Sequence, residues 1–151
     1  MKLEIWTDGA CSGNPGPAGI GVVIKENGTL LKEISKDIGC ATNNIAEYSA
    51  LIEALKEAKN LKADDVVITT DSELMYKQII GEYKVKHEGI KPLFEEVKNL
   101  VVGFKQVEFK HVLRDKNKEA DKLACKALKK TSQDGRPDTQ GIGEESPSSK
   151  G

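Results

Sequence analysis

The sequence predicts one α/β domain built on a five-stranded mixed sheet, in the order β-β-β-α-β-α-α-β-α. Three observations carry this. The first 38 residues read as three short strands with turn signals between them, the first of which, Lys2–Asp8, alternates apolar and polar positions. After Gly39 the apolar period lengthens to that of a helix. Beyond that helix, "DVVITTD" is a short, nearly unbroken apolar run, as expected of a strand covered on both faces.

Each element follows in turn. "KLEIWTD" (Lys2–Asp8) alternates and reads as the first strand, and "GIGVVIK" (Gly19–Lys25) as the second. Asn27-Gly28 is a two-residue hairpin signal, returning the chain as Leu30–Ile38. Ile45, Tyr48, Leu51, Ile52, Leu55 and Ala58 recur at helical spacing from Asn43 to Lys59. Asp65–Asp71 is the fourth strand. Ser72 caps a helix to Ile80, with Gly81 as its stop. Pro92 suits the first turn of a third helix ending near Val101. "FKQVEFKHVL" is the fifth strand, and Asp115–Lys130 the last, amphipathic helix. A strand, a helix and a further strand imply a parallel crossover, so the sheet is mixed.

The chain has 151 residues, 31% charged and 38% hydrophobic, with a net charge of −1. That size suits a single core, and the charge announces no overall affinity for polyanions, which a local patch would have to meet. Residues 131–151 contain one large aliphatic, no aromatic and ten Gly, Pro or Ser, so a domain over 1–130 with a flexible tail over 131–151 is expected. Three scattered cysteines without a CxxC read as reduced thiols. No leader pattern opens the chain and no apolar run reaches membrane-spanning length, so a cytoplasmic, monomeric protein away from the membrane is expected.

Four acids invite chemistry. Asp8 and Asp71 each end a strand. If those strands are parallel neighbours, both carboxylates sit at the carboxyl edge, where open α/β sheets place ligands. Glu47 heads an apolar stripe with Leu51, Ala54 and Ala58, which aims it at the sheet. Asp121 shares its face with Ala124 and Leu128. Each has a plain alternative: Asp8 and Asp71 as caps, Glu47 as a partner of the helix dipole, Asp121 as a solvated acid. Together, buried carboxylates need cations, and an all-oxygen set suits Mg²⁺ or Mn²⁺.

Four blocks in order, "TDGACSGNPGPAG", "TNNIAEYSALIEAL", "TDSELMYKQI" and "NKEADKLA", resemble type 1 ribonuclease H over roughly residues 1–130. The resemblance implies the ribonuclease H-like fold. It also implies endonucleolytic hydrolysis of the RNA strand of an RNA–DNA hybrid by two metal ions, leaving 5′-phosphate and 3′-hydroxyl ends. Asp8, Glu47, Asp71 and Asp121 fall on the metal-binding acids. Cys11, Asn14, Asn43 and Asn44 fall on positions that detect the RNA 2′-hydroxyl, and Thr42 on one that holds a DNA phosphate. Helix capping is the alternative for Thr42 and the two asparagines. Double-stranded RNA is a further candidate substrate.

The chain departs from the family pattern twice. Members with a loop histidine before the last helix use it to assist the leaving group or product release. Here His111 alternates with Val107, Phe109 and Leu113 on an apolar face, which reads as structural. Arg114 lies in the short "RDK" connection and is the better occupant of that space; its planar fork suits a phosphate, although it cannot shuttle protons. The alternative is a surface ion pair with Asp115. The basic helical protrusion of some members is also missing, replaced by "GEYKVKHEGIKP", in which Lys84, Lys86, His87 and Lys91 offer modest charge. With no separate hybrid-binding domain before Met1, weak, salt-sensitive substrate binding is expected.

Overall fold

The computed structural model describes residues 1–135, with side chains to residue 128. Its strands are β1 (Lys2–Cys11), β2 (Gly16–Glu26), β3 (Thr29–Ala41), β4 (Asp65–Thr70) and β5 (Gln106–His111). Its helices are α1 (Asn43–Asn60), α2 (Glu73–Ile79), α3 (Lys91–Val101) and α4 (Lys118–Gly135). The sheet order is β3-β2-β1-β4-β5; β1, β2 and β3 are antiparallel neighbours, while β4 runs parallel to both β1 and β5. The expected element order and mixed sheet are both present.

Local chemistry explains the turns. Asn27 and Gly28 take φ of 51° and 81°, which lets two residues close the β2–β3 hairpin. Ser72 accepts the Met75 amide as cap of α2, and Gly81, at φ 90°, follows its end.

Successive strand residues face opposite sides of a sheet. Leu3 and Ile5 of β1 join Val22, Ile24, Val66 and Ile68 beneath Tyr48, Leu51 and Leu55 of α1, and α3 packs outside α1 through Val97. On the other face, α4 lies across β2, β1 and β3. Ser35 of β3 donates to the Leu123 carbonyl at 2.7 Å, and Lys25 of β2 pairs with Glu119 at 3.2 Å.

Close approach to both layers depends on glycine. A Cβ on Gly9 would lie 2.5–2.7 Å from the Ala46 and Glu47 backbone of α1. One on Gly19 would lie 2.7 Å from the Ala124 carbonyl and the Ala127 side chain, and Gly21 sits equally tightly under Ala120. The α4 residues that come nearest these glycines, Ala120, Ala124 and Ala127, are themselves small and have at most 1% exposure.

Several expected boundaries move, β4 among them, which ends at Thr70 and not at Asp71. β1 does not end at Asp8: β2 pairs with it as far as Cys11, whereas pairing with β4 stops at Thr7↔Thr70. The last helix starts at Lys118 rather than Asp115, because Arg114–Lys116 forms a 3-10 turn and Asn117, at φ −129°, breaks the helical path. β5 ends at His111, which leaves Leu113 72% exposed instead of on the apolar face. The backbone of 131–135 continues α4, and the rest of the expected tail lies outside the described residues.

Gly9→Ala is expected to destabilise the fold by about 1–3 kcal/mol through overpacking against the α1 backbone. Thermal denaturation checks this, and an unchanged midpoint would show that α1 can retreat from β1 at no cost.

Candidate active site

The end of β1–β4 pairing creates the site. Asp8 is the first β1 residue beyond that ladder and Asp71 the first residue after β4, so the two acids emerge side by side. Asp8 stays rigid because it remains paired with Gly21 on its other side. Glu47 arrives from α1, held against β1 by the absence of a side chain at Gly9. One carboxylate oxygen from each of Asp8, Glu47 and Asp71 lies within 4.8 Å of the others. Asp121, one turn into α4, stands at the rim with a side chain 30% exposed.

These acids oppose one another. Asp8 is 0% exposed, and neither of its carboxylate oxygens meets a hydrogen-bond donor among the described residues. Burial first, then the charges of Glu47, Asp71 and Asp121, push its pKa from 3.8 to about 10. Two unit charges 4.8 Å apart repel by about 3 kcal/mol at an effective dielectric near 20. Orphaned buried oxygens in an all-carboxylate cluster are the donor set that a hard divalent cation fits.

Arg114 supplies the local positive charge. Its guanidinium lies 3.4 Å from Asp121 and 3.9 Å from Asp71, across the mouth of the cluster. Burial pulls its pKa down, but Asp71, Asp8 and Asp121 outweigh that and raise it. His111 does not line this groove; its ring lies 5.7 Å from that of Tyr76.

The cluster opens into a groove of about 660 Å³ between the β1–β2 loop, the start of α1, α2 and the 85–90 loop. Asn14, Thr42, Asn43 and Asn44 all line it. Asn14 Oδ1 accepts the Asn43 amide at 3.0 Å, and Thr42 Oγ1 accepts the Ile45 amide at 3.2 Å, so both cap α1. Asn44 Oδ1 is buried without a hydrogen-bond partner among the described residues. Cys11 departs from expectation: it is 1% exposed among Ala18, Ala41 and Ala46, and its thiol donates to the Ala41 carbonyl at 3.3 Å. It packs beneath the loop and does not reach the groove; burial pushes its pKa up to about 11.

Sequence reading passed over Asn117. It is 2% exposed, and its Nδ2 donates to the Thr7 carbonyl at 2.9 Å and to Asp71 Oδ2 at 3.0 Å. One side chain at the head of α4 thereby ties together the strand end before Asp8, the carboxylate of Asp71 and the helix that carries Asp121. In the sequence it stands inside the expected last helix, as the first residue of the "NKEADKLA" block, and nothing local marks its side chain as a tie between elements.

The strain on Asp8 has a measurable sign. A carboxyl whose folded pKa is raised contributes stability at low pH that is lost as pH rises from 3.8 towards about 10. In chelator, Asp8→Asn is therefore expected to raise the thermal midpoint by about 3 °C or more, with a larger gain at pH 8 than at pH 5. Divalent metal is expected to stabilise the unaltered chain and not the variant. A midpoint lowered by Asp8→Asn at both pH values would count against a strained cluster.

Comparisons with known proteins agree with this geometry. Residues 6–127 match the family model described as reverse transcriptase-like. A ribonuclease H of Pseudomonas entomophila is 39% identical over 142 residues, covering 84% of this chain and 93% of that protein. A Mycobacterium tuberculosis protein described as bifunctional is 38% identical over 156 residues, and the chain spans 43% of its length. The solved structure of LC11-RNase H1 in complex with an RNA/DNA hybrid superposes with a TM-score of 0.81 at 41% identity, covering 85% of this chain and 98% of that one. By sequence, fold and the arrangement of its acids, the chain belongs to the ribonuclease H family.

Proposed function

We propose that the protein is an endoribonuclease that hydrolyses the RNA strand of RNA–DNA hybrids, leaving 5′-phosphate and 3′-hydroxyl ends. The observation that carries this reading is the Asp8–Glu47–Asp71 cluster, with both Asp8 oxygens unsatisfied among the described residues, beside a groove of about 660 Å³. Family membership supports it, as does the hybrid bound by LC11-RNase H1.

In this reading Asp8, Glu47, Asp71 and Asp121 hold two Mg²⁺ ions, with Mn²⁺ as a substitute. Divalent ions held there would supply activation of an attacking water and neutralisation of charge developing at the scissile phosphate and the departing 3′-oxygen. Asn117 keeps one Asp71 oxygen occupied, which directs the other towards the cluster. Arg114 shares Asp71 and Asp121 with the metal site and presents its remaining N–H groups to a phosphate. Asn14, Thr42, Asn43 and Asn44 read the hybrid from the capped start of α1, where backbone amides and the helix dipole favour phosphate.

A cleavage panel of RNA–DNA hybrid, RNA duplex and DNA duplex, run with Mg²⁺ and with Mn²⁺, tests the assignment. Hybrid cleavage that Asp8→Asn abolishes is expected, and the RNA duplex lane decides whether specificity is strict. Activity retained by Asp8→Asn would refute the metal-site reading. Arg114→Ala is expected to lower kcat about 10- to 100-fold, as for loss of a hydrogen bond from a charged donor, while the metal-induced rise in Tm persists. A rate unchanged across salt and pH would remove Arg114 from the mechanism.

A further inference from the structure

Gln78 is a polar residue on α2 that the four acids and the α1 asparagines leave unused. It is 7% exposed, yet it lines the groove beside Ser72 and Ile90. Its Oε1 accepts a hydrogen bond of 2.8 Å from the hydroxyl of Tyr48, a residue of α1 that is 0% exposed.

That bond orients the amide. Tyr48 must donate to something in an apolar core, and Oε1 is its acceptor; turning the amide over would leave the hydroxyl proton without a partner. With Oε1 directed into the core, the planar amide sends its –NH₂ the other way, towards the groove. No group among the described residues accepts from Nε2. A glutamine this buried, with one end fixed from beneath and the other unspent, is a preorganised donor.

We propose that Gln78 is a substrate-binding residue, held by Tyr48, whose Nε2 donates to an oxygen acceptor of the bound hybrid on the α2 side of the groove. The inference rests on the ribonuclease H reading and extends it to a second wall: the start of α1 lines one side of the hybrid, and Gln78 meets it from the other. A neutral donor suits this wall, because Glu73 stands beside it and Glu47 and Asp71 lie below. Tyr48 touches no substrate and is a positioning residue.

Steady-state cleavage of a hybrid and its binding by fluorescence anisotropy, measured in parallel, test this. Gln78→Ala and the near-isosteric Gln78→Leu should raise KM and Kd about 3- to 10-fold, as for one neutral hydrogen bond, and leave kcat within about twofold. Tyr48→Phe, which keeps the ring in the core, should raise KM by a smaller factor in the same direction. The Tyr48→Phe/Gln78→Ala double variant should be no worse than Gln78→Ala alone, since both changes remove one contact. Unchanged KM in both Gln78 variants, or additive effects in the double variant, would overturn the proposal while the unaltered enzyme still cleaves hybrid. An unaltered chain that neither binds nor cleaves hybrid would instead overturn the ribonuclease reading, and this inference with it. Thermal midpoints of all variants separate a weakened fold from a weakened contact.

Discussion

Repulsion among carboxylates at the end of the β1–β4 ladder sets the terms for the rest of the molecule. Asp8 is wholly buried, meets no hydrogen-bond donor among the described residues, and lies within reach of Glu47 and Asp71. Left to itself, such a group would protonate or move towards water. Without a cation its raised pKa keeps it protonated, and it does not move because the surrounding structure over-determines its place. β2 pairs with Asp8 itself, and β4 fixes Thr7 immediately before it. The strain is local and the stabilisation is distributed, through the apolar core beneath α1 and the close contact of α4 with the sheet. A site that concentrates negative charge is poised to take up cations, and it acquires that property at a cost in stability of the metal-free fold.

Small residues translate this constraint into architecture. Gly9 lets the α1 backbone approach β1 closely enough for Glu47 to stand over Asp8, and Gly19 and Gly21 let α4 settle onto β2 so that Asp121 reaches the rim. Two helices on opposite faces thus deliver acids to one edge of the sheet. Asn117 completes the arrangement by bonding to β1 and Asp71 at once. Arg114, just before it, sets a positive charge across the mouth of the cluster. The groove wall is built on the same economy: Asn14 and Thr42 cap the start of α1 while lining the groove, so the same groups stabilise the helix and shape the wall.

Much of the site was legible in the chain because it follows short-range periodicity. Asp8 and Asp71 follow strand patterns, and Glu47 and Asp121 head or flank apolar stripes at helical spacing. Alternation and stripe position are local properties, and they survive folding. Cys11 shows where this fails. Its loop composition suggested access to a ligand, but exposure depends on what packs on top, and Ala46 of α1 covers it. Asn117 and Gln78 were silent for the same reason. Each is a single polar residue whose importance comes from partners 110 and 30 positions away, in Thr7 and Tyr48.

The amino-acid sequence alone determined the element order, the mixed sheet, the capped ends of α1 and α2, and the placing of Asp8 and Asp71 by strand ends and of Glu47 and Asp121 on apolar helix stripes, since each rests on propensity, period or capping within a few residues. Tertiary structure decided the rest. It ended the β1–β4 ladder at Thr7 and Thr70, which brings Asp8 and Asp71 together, and it started α4 at Lys118 because the Asn117 side chain is committed elsewhere. It also sealed Cys11 into the core and turned Gln78 towards the groove. These outcomes depend on backbones meeting at glycine and on hydrogen bonds between distant residues, and no local pattern records which distant group will arrive.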